Sequence, residues 1–264
     1  MKNVWLYRIL AVFNALCFGA TVFINYYAVT LPLNGKSTGQ LSDELPNLFV
    51  PAGITFSIWG VIYLLQLAFI VYQIYKLFRS EETPVFFRKI GIFYPLTCIF
   101  NSIWIVTWHY QYVWLSLVIM VLLLASLCLI YIRLRAGLEE FTYRQQWMLQ
   151  LPFSVYLGWI TVATVANVTA ALVKHGWSGW GLSPVVWTII VIAVCVLITS
   201  WVLYTRRDLG YAAVVEWALF GIIFKRLGVE GPESLPLIIA AGSGMVIILV
   251  YSIIALVRKS RIIS

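Results

Sequence analysis

Pro51-Ala-Gly-Ile-Thr-Phe-Ser-Ile-Trp-Gly-Val-Ile-Tyr-Leu-Leu-Gln-Leu-Ala-Phe-Ile-Val-Tyr-Gln-Ile-Tyr75 runs without a single charge. As a helix it is ~37 Å long at 1.5 Å per residue, enough to cross ~30 Å of hydrocarbon. Lipid offers no water to the backbone, so an uncharged run of this length must satisfy its N–H and C=O groups internally, as a helix. A transmembrane barrel would need alternating segments of ~10 residues, and this run does not alternate.

Seven more apolar runs flank it: Trp5 to Tyr27, Ile90 to Trp108, Trp114 to Ile132, Trp147 to Val173, Val185 to Tyr204, Leu209 to Phe224 and Leu235 to Val257. The whole chain is 62% apolar and 11% charged, against roughly 25% charge for a soluble domain. The expectation is an all-α, polytopic membrane helix bundle with eight transmembrane helices. The last three runs hold no Asn and fewer polar residues than the first five. That shift, near Gly181, predicts a five-helix bundle over 1–178 followed by a three-helix C-terminal extension over 179–264. The first run, with Asn14 inside it and no small-x-small cleavage site, reads as a retained helix rather than a signal peptide.

Placing both termini in the cytoplasm puts 14 of the 18 basic residues on that side, as the positive-inside rule requires. They are Lys2, Arg8, Lys76, Arg79, Arg88, Lys89, Arg133, Arg135, Arg144, Arg206, Arg207, Arg258, Lys259 and Arg261. Lys36, Lys174, Lys225 and Arg226 fall outside, and acids divide evenly, with Glu81, Glu82, Glu139, Glu140 and Asp208 inside. The net charge of +8 is thus a topology signal. It implies a multi-pass protein of the cell membrane with lipid as a partner, and no nucleic acid. Thr30 to Phe49, rich in Pro32, Asn34, Gly35, Gly39, Asp43 and Pro46, reads as the longest non-helical stretch and lies outside. Long ordered loops are often lids. Trp177 and Trp180, among glycines, suggest an aromatic belt at headgroup level.

The polar and aromatic residues at membrane depth carry the chemistry. Phe56, Trp59 and Tyr63 share one helical face, and Trp59 lies ~13 Å in from the end of its run, too deep for a headgroup belt. Asn101, Trp104 and Trp108 share a second face; Trp159, Ala163 and Asn167 share a third. A carboxamide in hydrocarbon is costly unless bonded, so Asn101 and Asn167 should face the interior and carry those tryptophans with them. Two readings stay open. Asn and small residues glue membrane helices together. Aromatic walls with a few convergent polar groups also form a chamber for a planar apolar ligand.

Other candidates are weaker. His109 and His175 read as solvated turn residues. Cys17, Cys98, Cys128 and Cys195 have no metal-like spacing and read as packed thiols, so no metal site is expected. Glu216 is the single acid deep in a run, which by default is a functional hypothesis. It carries the alternative function of a proton-coupled secondary transporter. Ala240 to Gly244 is a small-residue packing face. No hydrolytic or phosphoryl-transfer motif is present, and an enzyme is the least supported class.

Three stretches carry a family likeness: Pro51 through Phe56 and Trp59 to Tyr63, Asn101-Ser-Ile-Trp104, and Trp159-x-x-x-Ala163-x-x-x-Asn167. Together they resemble the signatures on helices two, three and five of the tryptophan-rich sensory protein family, the bacterial relatives of the mitochondrial translocator protein. The step from Phe56 to Trp59 is three rather than the family's four, and the first loop holds no Trp. That marks a divergent branch, carrying its own C-terminal helices. The resemblance implies a five-helix bundle that binds tetrapyrroles, sterols and other flat hydrophobic molecules, with the first loop capping the pocket and frequent homodimers. It implies a tetrapyrrole as ligand rather than as required cofactor. By matching position it implies pocket residues Trp59, Tyr63, Asn101, Trp104, Trp159, Ala163 and Asn167, with Trp108 beside them.

Overall fold

The computed structural model describes residues 4–31, 33–45, 47–79, 84–136 and 141–263, with side chains to 257. Lys2, Pro32, Pro46, Glu81, Glu82, Glu139 and Glu140, and the side chains of Arg258, Lys259 and Arg261, lie outside the described residues. Among the described residues every regular element is helical. In chain order they are α1 (Val4–Thr30), α2 (Thr38–Asp43), α3 (Ile58–Arg79), α4 (Val85–Ile90), α5 (Phe93–His109), α6 (Val113–Leu134), α7 (Tyr143–Gln145), α8 (Leu151–Lys174), α9 (Pro184–Arg206), α10 (Leu209–Leu227) and α11 (Ser234–Ile263).

Six helical stretches are long and apolar enough to cross a membrane: Val4–Thr30, Gly53–Arg79, Val113–Leu134, Tyr143–Lys174, Pro184–Arg206 and Ser234–Val257. The two other expected spans form helices but are shorter, 17 residues for α5 and 19 for α10. For α5 the limit is length, and for α10 it is charge. Gly91 takes a left-handed φ of 51° and splits the third run into α4 and α5. Lys225 and Arg226 occupy the last turn of α10.

The Thr30–Phe49 stretch is not structureless. Ser37 caps α2 by accepting from the Gln40 N–H, and the Gln40 side chain returns to the Ser37 N–H. This reciprocal capping box organises a turn of helix out of residues that composition alone reads as loop. The fifth run likewise begins with a π-helical turn over Gln146–Gln150 before α8.

Helices α1, α3, α8, α6 and α5 close into a ring, each packing on the next and α5 returning to α1. Helices α9, α10 and α11 pack on one another, and α10 joins them to the ring through α8. Polarity is inverted relative to a soluble protein. Leu64, Val71, Val118, Leu197 and Val246 point outward, while Asn14, Gln66, Gln73, Asn101, Ser116 and Asn167 are buried. Below, "upper" denotes the end of the bundle that carries α2.

At the lower end, Asp208 caps α10, accepting from the Tyr211 N–H at 3.1 Å. It also accepts from the hydroxyls of Ser154 at 2.5 Å and Tyr131 at 2.8 Å, which ties α10 to α8 and α6. The sequence places it among the acids of the inner side, and the structure buries it to 2% exposure. Burial pushes its carboxyl above the usual carboxylate range, against the pull of those donors. The folded state therefore binds this proton more tightly than the unfolded chain. The resulting stability is fully present below about pH 4 and is lost as pH rises through the raised folded value. Melting temperature should fall over that interval in the wild type, and Asp208→Asn should flatten that part of the profile.

An aromatic cavity beneath a latched loop

The predicted faces converge. Trp59 of α3 stacks on Trp104 of α5 with ring centroids 6.0 Å apart, and meets Trp159 of α8 edge-on at 6.3 Å. Trp108 stacks above Trp104 at 6.2 Å, and Phe56 meets Trp159 edge-on at 5.9 Å. Between them, closed above by Thr38 and Ser42 of α2, lies a cavity that Ala163 and Asn167 also line. Its volume is about 40 Å³. Sites that take a drug-sized ligand run to roughly 300–1,000 Å³, so this is a closed form.

The two asparagines do different work. Asn167 accepts from Trp104 Nε1 at 3.0 Å and donates to Ser116 Oγ at 3.1 Å, holding one cavity wall in place. Asn101 lies outside the cavity lining. It accepts from Asn25 Nδ2 at 2.7 Å and donates to Tyr156 Oη at 3.0 Å, a bridge from α1 through α5 to α8. Tyr63 stacks under Trp59 at 5.7 Å and lines a separate, smaller space. Tyr156, edge-on to Trp59 at 6.0 Å, escaped the sequence reading. Its position one turn before Trp159 on α8 was the available signal.

Trp108 Nε1 donates to Thr38 O at 3.4 Å, and Trp104 Nε1 is taken by Asn167. Trp159 Nε1, in contrast, has no hydrogen-bond partner among the described residues, although the residue is only 3% exposed and lines the cavity. A buried donor left unpaired costs about 1–3 kcal/mol.

Helix α10 fastens the loop and the start of α3 from the side. Trp217 Nε1 donates to Thr55 O at 2.9 Å, and the Ala52 N–H donates to Gly221 O at 3.0 Å. Lys225 Nζ pairs with Asp43 Oδ1 at 2.5 Å, and Arg226 Nη2 donates to Leu48 O at 2.9 Å. Asn47 reaches Thr169 of α8 from the same loop. Glu216, half-buried on α10, makes no hydrogen bond or ion pair among the described residues. His109 corrects the expectation of a solvated turn residue. It is 0% exposed at the end of α5, its Nδ1 2.7 Å from Ile105 O and its backbone O accepting from Asn34 Nδ2. His175 stays at the surface, accepting from Trp114 Nε1 at 2.7 Å.

Two larger spaces exist elsewhere: about 390 Å³ between α8 and α9 beside Trp187, and about 350 Å³ around Arg207 and Asp208. Neither gathers the three aromatic faces. The TSPO-like protein family matches residues 11–255. The chain belongs to that family. No curated protein and no solved structure matches it. The family match runs through α9 and α10 into α11, so it embraces the ring and the helices that latch it. As a TSPO-like protein with six helices of spanning length and apolarity, the chain is a multi-pass membrane protein.

Proposed function

We propose that this TSPO-like protein binds a planar hydrophobic small molecule, porphyrin- or sterol-like, in the cavity between Trp59, Trp104 and Trp159. The observation that carries the reading is the unpaired Trp159 N–H, buried in an aromatic cavity whose neighbouring Trp104 and Trp108 N–H groups are bonded. A flat molecule with a carbonyl or carboxylate at its edge stacks on the indoles and supplies the missing acceptor. All eight long helices cross the bilayer in this reading, with both termini cytoplasmic and the cavity facing out; 17 residues suffice for α5 at the short end of the spanning range.

The test is a titration of protoporphyrin into the protein in nanodiscs, followed by tryptophan quenching. Saturable quenching is expected, and Trp159→Phe, which keeps a ring edge-on to Trp59 and Phe56 but removes the donor, should weaken binding about tenfold. Quenching that never saturates, or is unaltered in Trp159→Phe, overturns the reading.

A second reading, proton-coupled transport, rests on Glu216: an unpaired, half-buried carboxylate one residue from Trp217, which holds the cavity turn. Uptake of the same ligand into proteoliposomes would then respond to a pH gradient, and Glu216→Gln would abolish that response. Uptake indifferent to the gradient removes this reading and leaves binding intact.

A further inference from the structure

Beneath Trp59 and Tyr63 the ring holds polar atoms that the protein answers poorly. Among the described residues Tyr63 Oη, Gln66 Oε1 and Tyr94 Oη are buried with no nitrogen or oxygen partner, and the Cys98 thiol beside Tyr94 is a weak one. Gln66 is 3% exposed and Tyr94 1%. Gln66 Nε2 is occupied, donating to Pro152 O at 3.0 Å, so its carbonyl end is the unanswered one. All three residues line one small space, shared with Thr21, Cys98 and Tyr156, whose volume is about 10 Å³. A single bound water needs roughly 10–15 Å³ and two to four polar partners. The deficit repeats lower down. Seven residues further along the same faces of α3 and α1, Asn14 Nδ2 donates to Gln73 Oε1 at 3.1 Å, while Asn14 Oδ1 and Gln73 Nε2 stay unpaired. Phe69, Tyr94 and Phe153 pack together, with centroids 4.9, 5.0 and 6.2 Å apart.

We propose that a water molecule is bound between Tyr63, Gln66 and Tyr94, forming a hydrated polar floor under the aromatic cavity. One water gives each of the three atoms a partner: it accepts from the two tyrosine hydroxyls and donates to the carboxamide oxygen. Dry, the same three atoms would each carry a desolvation penalty of about 1–3 kcal/mol. The aromatic cluster of Phe69 and Phe153 seals the site from the lower half of the bundle. Above it stand Trp59 and its stacking partner Tyr63, so a group that descends past Trp59 must replace the bonds this water makes. The inference holds whether or not the cavity above takes a flat ligand.

X-ray radiolytic labelling of the ligand-free protein in nanodiscs tests it, because radicals generated from a bound water mark the side chains beside it. Met120 is the internal standard: it is 0% exposed and lines none of the cavities described above. Tyr63 and Tyr94 should label severalfold faster than Met120, and Gln66→Met should slow Tyr94 to the Met120 rate by removing one anchor. Labelling of both tyrosines no faster than Met120 in the wild type means a dry site and ends the proposal. A second arm reads stability: Tyr94→Phe lowers the melting temperature if its hydroxyl holds water and raises it if that hydroxyl is an orphan. Should the Gln66 variant fail to fold, the wild-type rates alone decide.

Discussion

Trp59→Ala should be the most damaging change in the aromatic cluster, costing about 3–5 kcal/mol of stability, the range for truncating a packed Phe or Trp. The ring touches four others: Tyr63 and Trp104 in stacked geometry, Tyr156 and Trp159 edge-on. Each aromatic pair adds about 0.5–1.5 kcal/mol beyond its buried area. Ala in its place would join the upper cavity to the polar space below. Trp59→Phe should keep much of the stability, because a six-membered ring still meets Trp104. Thermal melts in detergent, with both variants compared, measure the effect. A loss of less than about 1 kcal/mol in Trp59→Ala would mean the cluster collapses readily and does not hold an open-shaped site.

How far this was visible beforehand depends on the range of the interaction. Helices and their faces follow from local periodicity, so spacing alone sets Trp59, Trp104, Trp159 and Asn167 on inward faces, while gathering them around one pocket is what the family resemblance implies. The two asparagines look alike in sequence because each shares an inward face with a Trp, one turn away for Asn101 and two for Asn167. What separates them is the partner opposite: Trp104 and Ser116 for Asn167, Asn25 and Tyr156 for Asn101. Those partners sit on other helices, and no pattern in one helix reports them. The burial of Asp208 has a related cause. In a two-residue linker between helices an acid looks solvated, but the cap geometry of α10 and the hydroxyls of Tyr131 and Ser154 draw it inward.

The part that α10 plays was out of reach for the same cause in stronger form. Its contacts with the loop and the start of α3 bridge 162 residues for Trp217 to Thr55, 178 for Arg226 to Leu48 and 182 for Lys225 to Asp43. Lys225 and Arg226 were read only as charges on the outer side. They stand at the end of a helix that bonds the segment between Asp43 and Thr55 at several points along its upper half. The composition break near Gly181 is real in the sequence, yet the helices after it contribute directly to closing the cavity formed before it.

Gly221→Ala tests that closure most sharply, because its sign is diagnostic. In an exposed helix the change would stabilise by about 1 kcal/mol. Here an added Cβ would stand 2.1 Å from Thr55 Oγ1, 2.9 Å from Thr55 Cγ2 and 3.0 Å from Pro51 Cβ. Thr55 is 1% exposed and has nowhere to turn. The expected result is a loss of about 1–3 kcal/mol, taken either as strain or by lifting α10 off the turn. Lifting would break the Ala52–Gly221 and Trp217–Thr55 hydrogen bonds and free the loop above Phe56. Amide exchange over residues 33–45 should then quicken while exchange in α6, which takes no part in the latch, stays as it was. Thr55→Ala removes the two closest obstructions and leaves only Pro51 Cβ. In the double variant stability and slow exchange should both return, with a coupling of about 0.5–3 kcal/mol between the sites. If Gly221→Ala alone is neutral or stabilising, α10 does not press on this turn and the cavity is closed by α2 unaided.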